Sequence, residues 1–114
     1  MTTIYGIKNC DTMKKAFRWL EEQNISYVFH DYRKDGLDRA MLEGWVEALG
    51  WEQVVNKRGT TWRQLDKDTQ DAMNNETVID VLLDKPAMIK RPLLDHQGKL
   101  TLGFKAEQYS AIFG

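Results

Sequence analysis

The chain has 114 residues, of which 42% are hydrophobic, and it includes 4 Trp, 4 Tyr and 4 Phe. This composition supplies one hydrophobic core, and it excludes both a disordered chain and a pair of domains of ordinary size. With 16 basic and 17 acidic residues the net charge is −1, so no overall positive field attracts nucleic acid or an anionic membrane. We expect neither of them as a partner.

Targeting signals and metal ligands are sparse in the sequence. The start of the chain lacks the charged and apolar segments of a signal peptide, and no apolar run approaches the ~20 residues of a membrane span. We therefore expect a cytoplasmic protein. Its single cysteine, Cys10, excludes an internal disulfide and a multi-thiolate metal site, and with only His30 and His96 to add we expect no metal.

The N-terminal part of the sequence predicts a strand, a helix and a second strand. Residues 3–7 form a short apolar run with β-branched and aromatic members, which is typical of a buried strand. The helix that follows ends near Asn24, and its apolar side chains recur at amphipathic spacing; they are Met13, Ala16, Phe17 and Leu20. With a second strand at about residues 26–32, this order predicts a βαβ unit whose strands are parallel.

The middle of the chain predicts helices joined by loops. Asp38 is placed to cap a helix and Gly50 to end it. The apolar stripe of that helix consists of Leu42, Trp45, Val46 and Leu49. The pattern is weak over residues 51–59, and we interpret residues 57–59 as a loop. Thr61 and Gln64 match a capping box, which opens a short helix through Leu65.

The remaining sequence predicts one more helix and then a ββα segment. Asn75 is placed to cap a helix that Pro86 ends, and its apolar residues are Val78, Val81 and Leu82. Residues 88–94 and 99–103 are short apolar runs around the four turn-forming residues 95–98, and they predict a β-hairpin. Residues 107–113 predict a closing helix.

The predicted order of elements is βαβ, a block of helices, and ββα. This is the α/β arrangement of a thioredoxin-like fold with an all-helical insertion between its halves. We expect a single domain over residues 1–114, with the insertion at about residues 38–85.

Cys10 is predicted to lie where the first strand gives way to the first helix. The free amide groups of a helix N-terminus carry about half an elementary positive charge. They stabilise a thiolate and lower its pKa below the ~8.5 of a free thiol. Lys8 adds positive charge nearby and Asp11 opposes it. From position alone, a reactive thiol and a small buried side chain are both open interpretations.

Two basic segments are candidate anion sites. Pro92 stands at the start of a predicted strand, and a cis bond there would hold Arg91 toward Cys10. Arg91 would then present its planar guanidinium to a carboxylate or an oxyanion. Arg58 lies in a basic loop that enters a predicted helix, whose N-terminus can receive an anion. For both arginines the alternative is a solvated surface side chain.

Three separated segments resemble the ArsC/Spx family, and most closely its YffB-type branch. They are residues 5–16 (YGIKNCDTMKKA), 56–62 (NKRGTTW) and 89–94 (IKRPLL). The resemblance runs from end to end and implies a thioredoxin-like fold with a helical insertion. It also implies that Cys10 is the active thiol, that Arg91 is an active-site cation and that Pro92 is a cis proline.

The resemblance also shows where this chain departs from its relatives. Arsenate reductases of the family hold the oxyanion with three arginines. The first of these falls at Asn56 here, with Arg58 two residues on as a substitute, and the third falls at Phe104, so we expect inefficient arsenate reduction. Spx-type regulators bind RNA polymerase and use a Cys-x-x-Cys switch, in which Met13 replaces the second cysteine here. Any disulfide of Cys10 must therefore form with another molecule.

The favoured hypothesis is a glutathione-dependent monothiol reductase with Cys10 as the catalytic residue and no bound cofactor. In this hypothesis Arg91, Arg58 and Lys8 orient glutathione or a small anionic or thiol substrate, and Pro92 is structural at the site. The alternative is a non-catalytic interaction module of the Spx type with a protein partner. Arsenate reductase is the third candidate.

Overall fold

The computed structural model describes all residues from 1 to 114, which form two compact units. The first unit consists of Met1–Gly36 and Arg91–Gly114, and the second of Leu37–Lys90. In chain order the elements are β1 (Thr2–Gly6), α1 (Asp11–Glu22), β2 (Val28–Asp31), α2 (Tyr32–Asp35), α3 (Arg39–Leu49), α4 (Trp51–Val54), α5 (Thr60–Arg63), α6 (Lys67–Asp71), α7 (Thr77–Asp84), a 3-10 turn (Pro86–Met88), β3 (Leu93–His96), β4 (Lys99–Leu102) and α8 (Ala106–Phe113).

The first unit contains a four-stranded sheet in the order β2-β1-β3-β4. β1 is parallel to β2, with Gly6 opposite Asp31, and antiparallel to β3, with Tyr5 opposite Leu93. β3 and β4 form an antiparallel hairpin. The predicted thioredoxin-like fold, βαβ and ββα joined by a helical segment, is confirmed. The carboxyl ends of β1, β2 and β4 and the amino end of β3 all meet at one end of the sheet, which we call the site end.

The core of the first unit forms between the sheet and its two long helices. The predicted stripe of α1 is confirmed, because Met13, Ala16 and Leu20 are fully buried. They pack with side chains of the sheet and α8, namely Ile4, Leu94 and Tyr109. Burying an apolar side chain of this size contributes roughly 1.5–3 kcal/mol, so this cluster fixes α1 and its N-terminus on the sheet.

Two predictions for the first unit are wrong in their bounds. The second strand ends at Asp31 because the carboxylate of this residue caps α2, accepting a hydrogen bond from the Arg33 amide at 2.9 Å. The hairpin turn has two residues, not four. Gln97 and Gly98 have φ values of 53° and 89°, a left-handed pair that matches the twist of the flanking strands. Asp95 and His96, which we expected in the turn, therefore belong to β3.

The first helix of the second unit agrees with its sequence pattern. Asp38 caps α3 by accepting from the Met41 amide at 2.8 Å, and Gly50 ends the helix with a φ of 85°, which glycine adopts without strain. The apolar stripe is directed inward, since Leu42, Trp45 and Val46 are buried.

Other helix boundaries in the second unit are wrong. Residues 51–54, where the sequence pattern is weak, form α4. α5 begins at Thr60, its N-cap is Gly59 and no side chain caps it, so the predicted capping box is not formed. Asn74, and not Asn75, accepts hydrogen bonds from the first amides of α7. The side chain of Asn75 accepts instead from the Trp51 amide at the start of α4, at 3.1 Å.

Candidate functional site

Cys10 stands at the N-terminus of α1, beyond the carboxyl end of β1. Its backbone is extended, with φ −130° and ψ 129°, and its carbonyl accepts from the Lys14 amide at 3.0 Å to close the first helical turn. The thiol is half-buried. A sulfur at a helix N-terminus faces amide groups that have no partner within the helix, so its position favours the thiolate.

Arg91 lies at the same end of the sheet, just before the amino end of β3. It precedes Pro92 through a cis peptide bond, and the buried Pro92 is held by the Gly103 amide, which donates to the Pro92 carbonyl at 2.9 Å. Arg91 is half-buried, and its hydrogen bonding and its charge both lower the pKa of the Cys10 thiol. The structure thus brings together Cys10, Arg91 and Pro92, all of which belong to the first unit.

The electrostatic environment favours the ionised form of Cys10. Burial raises the pKa of the thiol, but the Met13 amide, the Arg91 hydrogen bond and charge, and the Thr12 amide together lower the pKa below its ordinary value. The Cys10 side chain does not cap α1 with a hydrogen bond. The helix amides therefore act mainly as nearby partial charges, and Arg91 supplies the full positive charge.

The other two predicted cations, Lys8 and Arg58, are exposed. Lys8 is exposed, in the bend between β1 and α1. Arg58 belongs to the second unit, where it is exposed and its amide donates to the Asn56 side chain at 3.2 Å. Their predicted roles in anion binding stay predictions. Lys57, beside Arg58, is occupied within the second unit, because its amine lies 4.8 Å from the Trp51 ring centre.

Sequence reasoning missed Tyr32 as a member of the site. This residue follows the carboxyl end of β2, is buried, and has a phenol on which the charge of Arg91 acts. The signal was present, because β2 is the parallel neighbour of β1 and its carboxyl end had to lie beside Cys10. An aromatic side chain is ordinary at the end of a strand, so its type alone does not indicate a functional site.

Phe104 supplies an apolar side chain near the carboxyl end of β4. Its half-buried ring packs edge-on against buried Tyr109, with centroids 4.8 Å apart. A phenyl ring held in this way adds packing and no positive charge. The preceding residue, Gly103, is the one whose amide binds Pro92.

Two features are absent from the whole chain. No group of three or more His, Cys, Asp and Glu side chains is arranged to hold a metal ion. Every helix is too short or too polar to cross a membrane.

The fold and the site define a class of protein: a thioredoxin-like α/β fold with a cysteine at the N-terminus of the first helix, beside an Arg–cis-Pro segment. The chain belongs to the ArsC family, whose model matches residues 5–112.

Several relatives match this chain over nearly its full length. An uncharacterized protein of Haemophilus influenzae is 47% identical over 113 residues, which cover 99% of this chain and 99% of that protein. The structure of a YffB protein has a TM-score of 0.94 and 43% identity, and the match covers 100% of both chains. An arsenate reductase (ArsC) related protein from Brucella melitensis has a TM-score of 0.82 and 49% identity, and the match covers 98% of this chain and 93% of that one.

A more distant similarity connects the chain with transcriptional regulators. The global transcriptional regulator Spx of Streptococcus pyogenes is 23% identical over 114 residues, which cover 98% of this chain and 84% of the regulator. The ArsC family relatives of this chain are thus both arsenate reductase-like and Spx-like.

Proposed function

We propose that this protein is a glutathione-dependent monothiol reductase with Cys10 as its catalytic thiol. The observation that carries the proposal is the position of Cys10 at the N-terminus of α1, where the helix amides and Arg91 lower the pKa of the thiol. A lowered pKa puts more of the thiol in the thiolate form, which is the nucleophile of disulfide exchange. Because Cys10 is the only cysteine, a second thiol must come from another molecule.

The first step is attack of the Cys10 thiolate on a mixed disulfide between the substrate and glutathione. The substrate–glutathione S–S bond breaks while a Cys10–glutathione bond forms, and the substrate leaves as a thiolate that takes a proton from water. In the second step another glutathione thiolate attacks the glutathione sulfur on Cys10. This step yields oxidised glutathione and restores the Cys10 thiolate, so the substrate gains the two electrons that glutathione loses.

The residues around Cys10 contribute to both steps. The α1 amides and Arg91 stabilise the Cys10 thiolate, which is the nucleophile of the first step and the leaving group of the second. The planar guanidinium of Arg91 and the exposed amine of Lys8 are cations suited to the carboxylates of glutathione. Arsenate reductase-like relatives within the family support a reductase.

The proposal is tested by the rate at which Cys10 acquires glutathione. The wild type, Cys10→Ser and Arg91→Met are treated with oxidised glutathione, and the adduct is followed by intact mass spectrometry. We expect the wild type to react faster than a simple free thiol and Cys10→Ser to form no adduct. Arg91→Met should react about three- to tenfold more slowly, because a hydrogen bond to a charged group contributes roughly 1.5–3 kcal/mol before solvent screening.

Turnover supplies the second measurement. A glutathionylated peptide is mixed with glutathione and the protein, and the release of oxidised glutathione is followed. The wild type should turn over repeatedly and Cys10→Ser not at all. A wild-type adduct rate no higher than that of the free thiol, or the absence of turnover, overturns the proposal.

The second candidate is a protein-interaction module, and the full-length similarity to Spx favours it. Capture from a lysate with wild type and Cys10→Ser separates the two candidates. Partners that the wild type holds through a disulfide, and that Cys10→Ser loses, support the reductase. Partners that both proteins retain after treatment with a reductant support the module.

Arsenate reduction is the third candidate function, because a relative from Brucella melitensis is arsenate reductase related. Phe104 stands where the family resemblance places the third oxyanion-binding arginine, and a phenyl ring makes no bidentate contact with an anion. We expect no arsenite from arsenate, glutathione and glutaredoxin in the presence of this protein. If the rate of arsenite formation equalled the rate at which the protein reduces the glutathione mixed disulfide, arsenate would be the substrate.

A further inference from the structure

The exposed face of α1 next to Cys10 carries three cations. Lys14, Lys15 and Arg18 are exposed, and with Asp11 they have the i, i+3, i+4, i+7 spacing that places helix residues on one face. The Lys14 amide donates to the Cys10 carbonyl at 3.0 Å, so the cations begin one helical turn beyond the thiol. We call Lys14, Lys15 and Arg18 the basic face of α1.

The basic face is a local excess of positive charge in a chain whose net charge is −1. Asp11 is the one acidic residue in the first two turns of α1. No ion pair joins a cation of the basic face to a carboxylate of the chain. The three positive charges are therefore available to a partner with negative charge.

The charges of α1 oppose its helix dipole. Anions are stabilising near the N-terminus of a helix and cations near its C-terminus. In α1 the two lysines lie within the first two turns, while the last turn holds Glu21 and Glu22 and no basic residue. This order does not serve the stability of the helix, so an interaction outside the helix is the better explanation of it.

The ionisation of Cys10 does not account for the basic face either. The groups that lower the pKa of the thiol are the Met13 and Thr12 amides and Arg91, and the cations of the basic face are not among them. These cations lie beside the thiol without acting on it. Their charge is directed to solvent, where a substrate approaches Cys10.

The length of the basic face indicates the size of its partner. Arg18 lies eight residues after Cys10, a rise of ~12 Å along the helix axis. An extended peptide needs about four residues to span this distance. Glutathione is a tripeptide, so a partner that engages all three cations from a disulfide with Cys10 is a longer chain.

We propose that the basic face of α1 docks an acidic segment of a protein substrate while Cys10 exchanges with the glutathione disulfide of that substrate. The inference rests on the reductase function proposed above and names its substrate class: proteins that carry glutathione on a cysteine with acidic residues within about four positions. Opposite charges raise the rate of encounter and fix orientation. Nucleic-acid sites neutralise roughly 6–10 phosphates, so three cations favour an acidic peptide.

The test compares two glutathionylated peptides that differ only in the four residues on each side of the cysteine. These residues include Asp and Glu in the acidic peptide and only uncharged polar residues in the neutral one. At low ionic strength, wild-type kcat/KM should be about tenfold higher for the acidic peptide, and added salt should reduce this preference. In Lys14→Gln/Lys15→Gln/Arg18→Gln the ratio should fall to about one. An unchanged ratio overturns the inference.

Charge reversal at single positions supplies the matched control. Lys14→Glu is compared with Lys99→Glu, because Lys99 is exposed and begins β4 at the opposite end of the sheet from Cys10. Lys14→Glu should lower the preference for the acidic peptide about two- to fivefold, and Lys99→Glu should keep it. An equal loss in both would assign the preference to net charge and overturn the inference. Lys14→Glu should fold, because an anion is favourable near the start of a helix.

Fluorescence anisotropy with Cys10→Ser separates docking from chemistry. The labelled acidic peptide, without glutathione, should bind this variant about tenfold more tightly than the neutral peptide at low ionic strength. Selective binding without wild-type turnover supports docking and overturns the reductase alone. Turnover of both peptides at equal rates supports the reductase and overturns docking. A single-stranded oligonucleotide that binds more tightly than the acidic peptide would make the basic face a nucleic-acid site and overturn the inference.

Discussion

The Met13 side chain lies against the α-carbon of Gly6. A Cβ atom on Gly6 would come within 2.5 Å of Met13 Sδ and 2.6 Å of Met13 Cε. Met13 is fully buried, so its side chain has no open space into which to retreat. The missing side chain at residue 6 thus allows β1 and α1 to approach closely, just before and after the segment that carries Cys10.

We predict that Gly6→Ala lowers the free energy of unfolding by about 1–3 kcal/mol through overpacking. Met13→Ala alone should cost about 2–5 kcal/mol because it leaves a cavity. In the double variant the new methyl group occupies part of that cavity, so the loss should be smaller than the sum by at least about 0.5 kcal/mol. Urea unfolding of the three variants measures these values, and strict additivity would contradict the contact.

The lowered pKa of Cys10 predicts a pH-dependent contribution to stability. A group whose pKa is lower in the folded state contributes its full stabilisation above the unfolded pKa, here ~8.5, and loses it as the pH falls through the folded pKa. The free energy of unfolding of the wild type, relative to Cys10→Ser, should therefore rise with pH across this window and become constant above it. Chemical denaturation at a series of pH values measures the difference. In the Arg91→Met background the rise should shrink, and an undiminished rise would exclude Arg91 as a cause.

Tyr109 predicts a stabilising substitution. Its hydroxyl is buried and makes no hydrogen bond, while its ring is packed edge-on between Phe104 and Trp19. Tyr109→Phe keeps the ring and removes the unsatisfied hydroxyl, so we expect the protein to be more stable by about 0.5–2 kcal/mol. Thermal and urea unfolding check the prediction. A destabilised Tyr109→Phe would mean that the hydroxyl has a partner in solution.

The N-terminus of α7 gives a prediction that separates two adjacent asparagines. Asn74 Oδ1 accepts from the Glu76 and Thr77 amides at 2.9 Å and 2.8 Å. Asn74→Ala should cost about 0.5–2 kcal/mol of unfolding free energy, and Asn74→Asp, which keeps the acceptor, should stay near the wild type. Asn75→Ala should cost less, because it loses a single exposed hydrogen bond. If Asn75→Ala lost more unfolding free energy than Asn74→Ala, Asn75 would be the cap of α7, as the sequence pattern predicted.

The elements that the sequence predicted well depend on interactions within one or two helical turns. The apolar spacing from Met13 to Leu20 and the pair Asp38 and Gly50 determine α1 and α3 wherever those helices lie. The wrong predictions occur where two residues were equally suited to a role locally and a contact with a distant segment determined which of them fills it. Asn74 and Asn75 have identical side chains. Asn75 accepts a hydrogen bond from the Trp51 amide at the start of α4, and Asn74 caps α7 instead.

The sequence by itself determined the βαβ and ββα order of the first unit, the fold class and the presence of a single thiol at a strand-to-helix junction, because hydrophobic period and capping act locally. Only the tertiary structure decided what surrounds that thiol. The approach of Arg91 to Cys10 requires β1 to pair in register with β3. Such pairing is a property of segments far apart in the chain, and no local pattern encodes it.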